Sequence, residues 1–184
     1  MKRLALFMLF SIALQSYSLC QTKIYLLPPK PHRGNYQFVN PSDSAYISMS
    51  HSEDMGVWYA RRYELRTDIP DGKYEIYVSD TLALSASIKD FKKDGIWTAY
   101  YRNGQILSIT PYKDGKINGE DISYHHNGVV SYRAKYEDGK TDIEYRYDLS
   151  GKVWSKAFYV NGEFIRQDIF EEDGSVKSHY PGGS

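Results

Sequence analysis

Histidine, the carboxylates and tyrosine carry most of the chemistry this chain has to offer, and their spacing narrows what that chemistry is. His125-His126 is the obvious metal-binding pair. Adjacent strand residues point to opposite faces, so the two do not share one ion. His32, His51 and His179 stand apart, with no cysteine at zinc spacing. Asp114, Asp138 and Asp173 each precede a glycine, one per segment. A calcium loop gathers several oxygen ligands around one ion, so these aspartates read as turn formers whose side chains bond nearby backbone. Glu171-Glu172-Asp173 reads as a solvated end. Nothing locates two carboxylates across a cleft as a glycosidase requires, and no nucleophile–base motif is visible. The expectation is a chain with no catalytic residues, no metal and no cofactor. What remains is its 18 tyrosines, whose apolar rings and polar tips favour strands and half-wet surfaces.

A repeat of about 23 residues positions those tyrosines. Segments starting at Gly72, Gly95, Gly119, Asp142 and Ile165 superpose. Five residues into each stands an aromatic: Tyr77, Tyr100, Tyr124, Tyr147, Phe170. Nine residues in stands a turn residue: Thr81, then Gly104, Gly128, Gly151, Gly174. Two further on is Ala83, Ile106, Val130, Val153 or Val176. A fixed period of this kind means stacked units, none able to bury its apolar side alone. No stretch shows a 3.6-residue apolar period, so each unit reads as a β-hairpin.

In the clearest unit, Ile96 to Tyr101 and Gln105 to Tyr112 flank a loop at Arg102-Asn103-Gly104. A two-residue Asn-Gly loop would place Tyr100 opposite Leu107. A three-residue loop with a left-handed Gly104 pairs Tyr100 with Ile106 instead. The same register pairs Tyr124 with Val130, Tyr147 with Val153 and Phe170 with Val176. Each is a favourable aromatic–branched pair of roughly 0.2–1 kcal/mol, so the bulged register is expected. It is also expected to put Tyr112, Tyr136 and Tyr159 on the face of Tyr100, giving one aromatic row. The repeat core is then Tyr77, Tyr100, Tyr124, Tyr147, Phe170, Ile106, Val130, Val153 and Val176. Trp97, Tyr101 and Tyr132 depart from the repeat consensus or lie off that row, and are the candidate interaction surface.

The hairpin segments resemble the MORN-repeat family in its bacterial variant form. Its pattern, Gly-x-Trp-x-x-Tyr-x-x-Asn-Gly followed by Tyr-x-Asp-Gly-Lys-x-x-Gly, is met by Gly95, Trp97, Tyr100, Asn103, Gly104, Tyr112, Asp114, Gly115, Lys116 and Gly119. The next unit keeps Gly119, Tyr124, Asn127, Gly128, Tyr136, Asp138, Gly139 and Lys140, with Asp121 in place of the Trp. The resemblance covers about residues 71–180. It implies an all-β fold of tandem hairpins in one elongated, twisted antiparallel sheet, and a scaffold for protein or membrane association. The YwqK-like branch of the family includes antitoxins, which implies an antitoxin- or immunity-type protein as an alternative.

The rest of the chain bounds where such a scaffold works. Met1-Lys2-Arg3, the apolar run Leu4 to Leu14, and Ser18-Leu19-Cys20 read as a cleaved export signal over residues 1–20. The apolar run is too short for a membrane span of about 20 residues. The expected address is the periplasm or outside the cell. A lipoprotein anchored at Cys20 is the lesser alternative, because Leu19 is bulkier than the Gly or Ala those signals carry before the cysteine. Cys20 is the single cysteine, so cleavage after it leaves no thiol chemistry. Residues 21–70 read as a β-rich cap over the first repeat, with strands near Lys23–Leu27, Ser44–Ser50 and Val57–Leu65. Residues 71–180 are the repeat domain and 181–184 a tail. The 23 basic and 23 acidic residues form no basic stripe, which excludes a nucleic-acid partner. Another protein is the expected partner. A membrane or glycan is the weaker alternative, since loss of Lys2 and Arg3 leaves a net charge of −2.

Overall fold

The computed structural model describes residues 21–26, 36–39, 45–52, 57–65, 70–78 and 80–181. The export signal, Cys20 and residues 182–184 lie outside the described residues. Those described contain strands and turns and no helix. The strands are β1 (Gln21–Leu26), β2 (Tyr36–Val39), β3 (Ala45–Ser52), β4 (Val57–Leu65), β5 (Gly72–Val78), β6 (Thr81–Lys89), β7 (Lys92–Tyr100) and β8 (Ile106–Lys113). They continue through β9 (Lys116–Ile117), β10 (Gly119–Tyr124), β11 (Val130–Glu137), β12 (Lys140–Tyr147), β13 (Val153–Val160), β14 (Glu163–Phe170) and β15 (Val176–Pro181).

Twelve strands form one open sheet in the order β1-β5-β6-β7-β8-β10-β11-β12-β13-β14-β15, with the short β9 paired to β8. Strands β2, β3 and β4 form a separate three-stranded antiparallel sheet. From β5 onward the large sheet is antiparallel, as tandem hairpins require. Its first strand is not: β1 lies parallel to β5, with Ile24 opposite Ile76. Parallel neighbours need a crossover of a dozen or more residues, and the long segment between β1 and β5 supplies one.

Two kinds of turn alternate along the chain. Within a unit the loop has three residues. The Tyr101 amide donates to the Gln105 carbonyl (2.8 Å) and the Gly104 amide to the Tyr101 carbonyl (2.9 Å). Gly104, Gly128, Gly151 and Gly174 have φ of +82°, +82°, +86° and +85°, the left-handed region glycine adopts without penalty. Tyr100 accordingly pairs with Ile106, Tyr124 with Val130, Tyr147 with Val153 and Phe170 with Val176. The first unit differs, because Val78 lies opposite Thr81 and Tyr77 faces Leu82. Between units the turn has two residues, Asp114-Gly115, Asp138-Gly139 and Asn161-Gly162, all with positive φ. That conformation matches the twist of the flanking strands.

A bulge just after each loop reshapes the faces. Ala83, Leu107, Ser131, Trp154 and Lys177 are each skipped by the pairing on either side of them. An extra residue on one strand shifts its side-chain alternation by one. Tyr112 therefore lies opposite Gly95 and against the Trp97 ring, with centroids 5.3 Å apart, on the face away from Tyr100. Tyr136 and Tyr159 follow Tyr112 by the same register. The single aromatic row expected from sequence is two rows, one on each face.

The apolar core is also off its expected place. Ile24, Tyr74, Ile76, Leu84, Ala86, Ile88, Trp97 and Ala99 are buried together at the N-terminal end of the sheet. From β8 onward the described buried residues are Ala134, Thr141, Ser155, Ala157 and Asp168, too small or too polar to be a core. The residues read as repeat core pair across strands but remain half-buried or exposed, Ile106 at 40% and Val176 at 45%. They lie on the face opposite Trp97, and among the described residues the C-terminal part of the sheet buries no large apolar side chain there.

Candidate interaction surface

The Trp97 face carries a polar and aromatic strip along the middle of the sheet. Its residues sit at fixed places in the repeat. Two residues into successive units come Trp97, Asp121 and Glu144. Across from them stand Thr110, Ala134 and Ala157, and the small alanines leave room for the longer chains beside them. Tyr112 and Tyr136 lie opposite Gly95 and Gly119. A Cβ on Gly119 would come within 2.9 Å of the Pro111 ring, at a φ of +124°.

Hydrogen bonds tie this strip together. The Thr110 hydroxyl donates to the Asp121 carboxylate at 2.7 Å. The Tyr132 and Tyr136 hydroxyls bond each other at 2.8 Å, and Tyr136 donates on to Glu144 at 3.2 Å. Arg146 places its guanidinium 3.7 Å from Glu144 and 5.8 Å from the centre of the Tyr132 ring. Partial burial, with the Glu144 charge nearby, holds the Asp121 carboxyl above the usual carboxylate range. Burial pushes Tyr136 up to about 12 and Tyr132 higher still, with the Tyr136 hydroxyl adding to the shift on Tyr132. Tyr159 is raised by burial and by Glu144. These phenols stay neutral and act as hydrogen-bond donors. The strip offers carboxylate oxygens ringed by aromatic faces, a chemistry that receives cations and hydrogen-bond donors.

The sequence-predicted surface residues fare differently. Trp97 is not on an open surface: it is 4% exposed, its indole N–H donates to the Ser87 carbonyl at 3.1 Å, and Lys93 lies 4.7 Å from its ring. Its strand position faces the N-terminal core, which the repeat pattern alone did not reveal. Tyr101 is half-buried, and its hydroxyl donates to the Tyr124 carbonyl at 2.6 Å. His125, one unit on, reaches the Tyr147 carbonyl at 2.8 Å in the same way. Tyr101 and His125 thus stitch successive loops together. Tyr132 is half-buried in the strip. Asp121, Tyr136, Glu144 and Tyr159 join the strip without a motif that marks them as site residues, although Asp121 stands where the repeat pattern expects Trp. That departure was the available signal.

The expectation that the turn aspartates bond nearby backbone is met by Asp173, whereas Asp138 pairs with the Lys116 side chain instead. Asp173 accepts from the Ser175 amide at 2.8 Å and Asp148 from the Ser150 amide at 2.8 Å. Lys116 reaches Asp138 at 2.8 Å and holds that carboxyl below the usual range. Among the described residues no three His, Cys, Asp or Glu side chains group as a metal would need. On the loop side, His125, Tyr147, Leu149, Lys152, Trp154 and Glu172 line a shallow groove of about 590 Å³. On the face opposite Trp97, Lys156 sits 5.4 Å from the Tyr145 ring and 5.5 Å from that of Phe170.

No curated protein gives a significant match to the chain. The model of the MORN repeat variant matches residues 93–114 and 143–161. Those stretches hold the β7–β8 and β12–β13 hairpins, each closed by a three-residue loop. Repeats of this kind are non-catalytic and commonly serve protein or membrane association.

Proposed function

We propose that this chain is an exported, non-enzymatic scaffold that binds another protein through the strip bearing Asp121, Tyr132, Tyr136 and Tyr159. One observation carries the reading. From β8 onward no large apolar side chain among the described residues is buried, so the sheet there spends its aromatics on half-exposed faces. Tyrosines in such a setting are favourable contact residues for proteins. The leader-like pattern of residues 1–20 supports the export part of the reading. An antitoxin or immunity role is the same activity with a toxin as partner, and the partner's identity decides it.

Membrane association is a second reading with its own observation. Phe91 stands 67% exposed at a turn tip between the exposed Lys89 and Lys92, an aromatic beside cations as an anionic lipid surface would favour. The test is a crosslinked pull-down of the tagged chain from its native cell envelope, with mass spectrometry of the partners and of the chain's own N-terminus. One stoichiometric protein and an N-terminus at Gln21 are expected. Co-purifying lipid or glycan without protein, or an uncleaved leader, would contradict the proposal.

A further inference from the structure

Two carboxylates on the Trp97 face occupy the same place in neighbouring units, and only one is matched by a cation. Glu144 has Arg146 two residues along its strand, on the same face, with the guanidinium 3.7 Å away and over the Tyr132 ring. Asp121 has Ser123 at the equivalent position. It bonds the Thr110 hydroxyl and has no lysine or arginine partner among the described residues. One unit on, the repeat thus displays a guanidinium lying between a carboxylate and the Tyr132 ring, and Tyr132 also borders the Asp121 unit, opposite Ser123.

We propose that the strip around Asp121 docks an extended basic segment of a partner protein, with an arginine or lysine of that segment seated on Asp121 and beside Tyr132. This deepens the protein-binding reading and rests on it. Three features fit such an occupant. Asp121 lies opposite Ala134 and Ser123 opposite Ser108, so small side chains border the carboxylate on the strands to either side. Successive residues of an extended segment point to opposite sides, so one cation can face Asp121 while its chain neighbours turn away from the sheet. Partial burial raises the cost of leaving Asp121 charged, and an incoming cation relieves it.

The test uses the full chain, isotope-labelled for NMR, and a probe peptide alternating threonine and arginine, with a citrulline version as the neutral counterpart. The arginine peptide is expected to shift the amides of Asp121, Ser123, Tyr132 and Ala134, to bind at least about fivefold more weakly to Asp121→Asn, and to weaken with added salt. Asp121→Asn keeps the size of the side chain and an acceptor for Thr110. A second variant, Ser123→Arg, places in this unit the arginine that Glu144 already has. It is expected to abolish peptide binding and leave the amide spectrum folded. Equal binding of the citrulline peptide, an unchanged affinity in Asp121→Asn, or shifts confined to the opposite face would overturn the proposal. A protein partner captured from the envelope equally by the wild type and Asp121→Asn would leave the scaffold reading standing and remove this one.

Discussion

Replacing Trp97 by alanine separates a core residue from a contact residue, because its neighbours on the strand face opposite ways. The Trp97 side chain is 4% exposed and packs with Ile88 and Ala99 in the N-terminal core. Truncating a buried aromatic to alanine costs about 3–5 kcal/mol. The variant also strips the Ser87 carbonyl of its indole donor, so the upper half of that range, about 4–5 kcal/mol, is expected. A domain is stable by only about 5–15 kcal/mol, so the loss is large. Repeats couple mainly to their neighbours, and the damage should concentrate on β5 to β8. Trp97→Phe keeps the packing and loses the N–H bond, a change of roughly 1–2 kcal/mol. Ile96→Ala, 64% exposed on the other face, should stay within about 0.5 kcal/mol of wild type. Urea unfolding followed by far-UV circular dichroism measures all three, with amide exchange locating the weakened strands. A Trp97→Ala midpoint equal to that of Ile96→Ala would refute the burial argument and return Trp97 to the surface.

Three further outcomes follow from the turns and the strip. Gly128→Ala adds a Cβ with nothing within 4 Å at φ +82° and should cost roughly 1–2 kcal/mol in backbone strain alone. Gly119→Ala should cost about 1–3 kcal/mol more, since its Cβ meets Pro111 at 2.9 Å; the order of the two urea midpoints checks this. Phe91 holds φ +58° in a turn where the next units have glycine. Phe91→Gly should therefore raise stability by roughly 0.5–1 kcal/mol in thermal unfolding. Asp121 has a folded pKa above its ordinary value through burial, so the unfolded chain ionises first as pH rises. The stabilising contribution is whole below the unfolded pKa and lost on rising through the folded one. Asp121→Asn should melt above wild type at about pH 7, with the gap closing toward about pH 3; a gap that widens in acid would contradict the assignment.

The hairpin units were legible because their signal is local. Glycine spacing marks the turns, and pairing Tyr100 with Ile106 requires only one loop length. The face of Tyr112 was not legible, because the bulge at Leu107 shifts the alternation and no residue type marks it. The parallel β1–β5 pairing depends on partners far apart in sequence, which periodicity does not report. The burial of Trp97 is hidden in the sequence for a related reason. Its strand, neighbours and alternation suit either face until the buried cluster of β1, β5 and β6 is known. The carboxylate strip hid within the repeat, since Asp121 and Glu144 look like ordinary polar strand residues. Only their common place on the Trp97 face, beside Tyr132 and Tyr136, joins them.

Photo-crosslinking from one face at a time tests the protein-binding account most directly. A photoreactive phenylalanine derivative at Tyr132 probes the carboxylate strip, and the same group at Tyr145 probes the opposite face, where Tyr145 pairs with Lys156 and Arg133. Irradiated in the native envelope, the Tyr132 probe should yield one discrete protein adduct and the Tyr145 probe little or none. An adduct from Tyr145 with none from Tyr132, or no protein adduct from either, would contradict it.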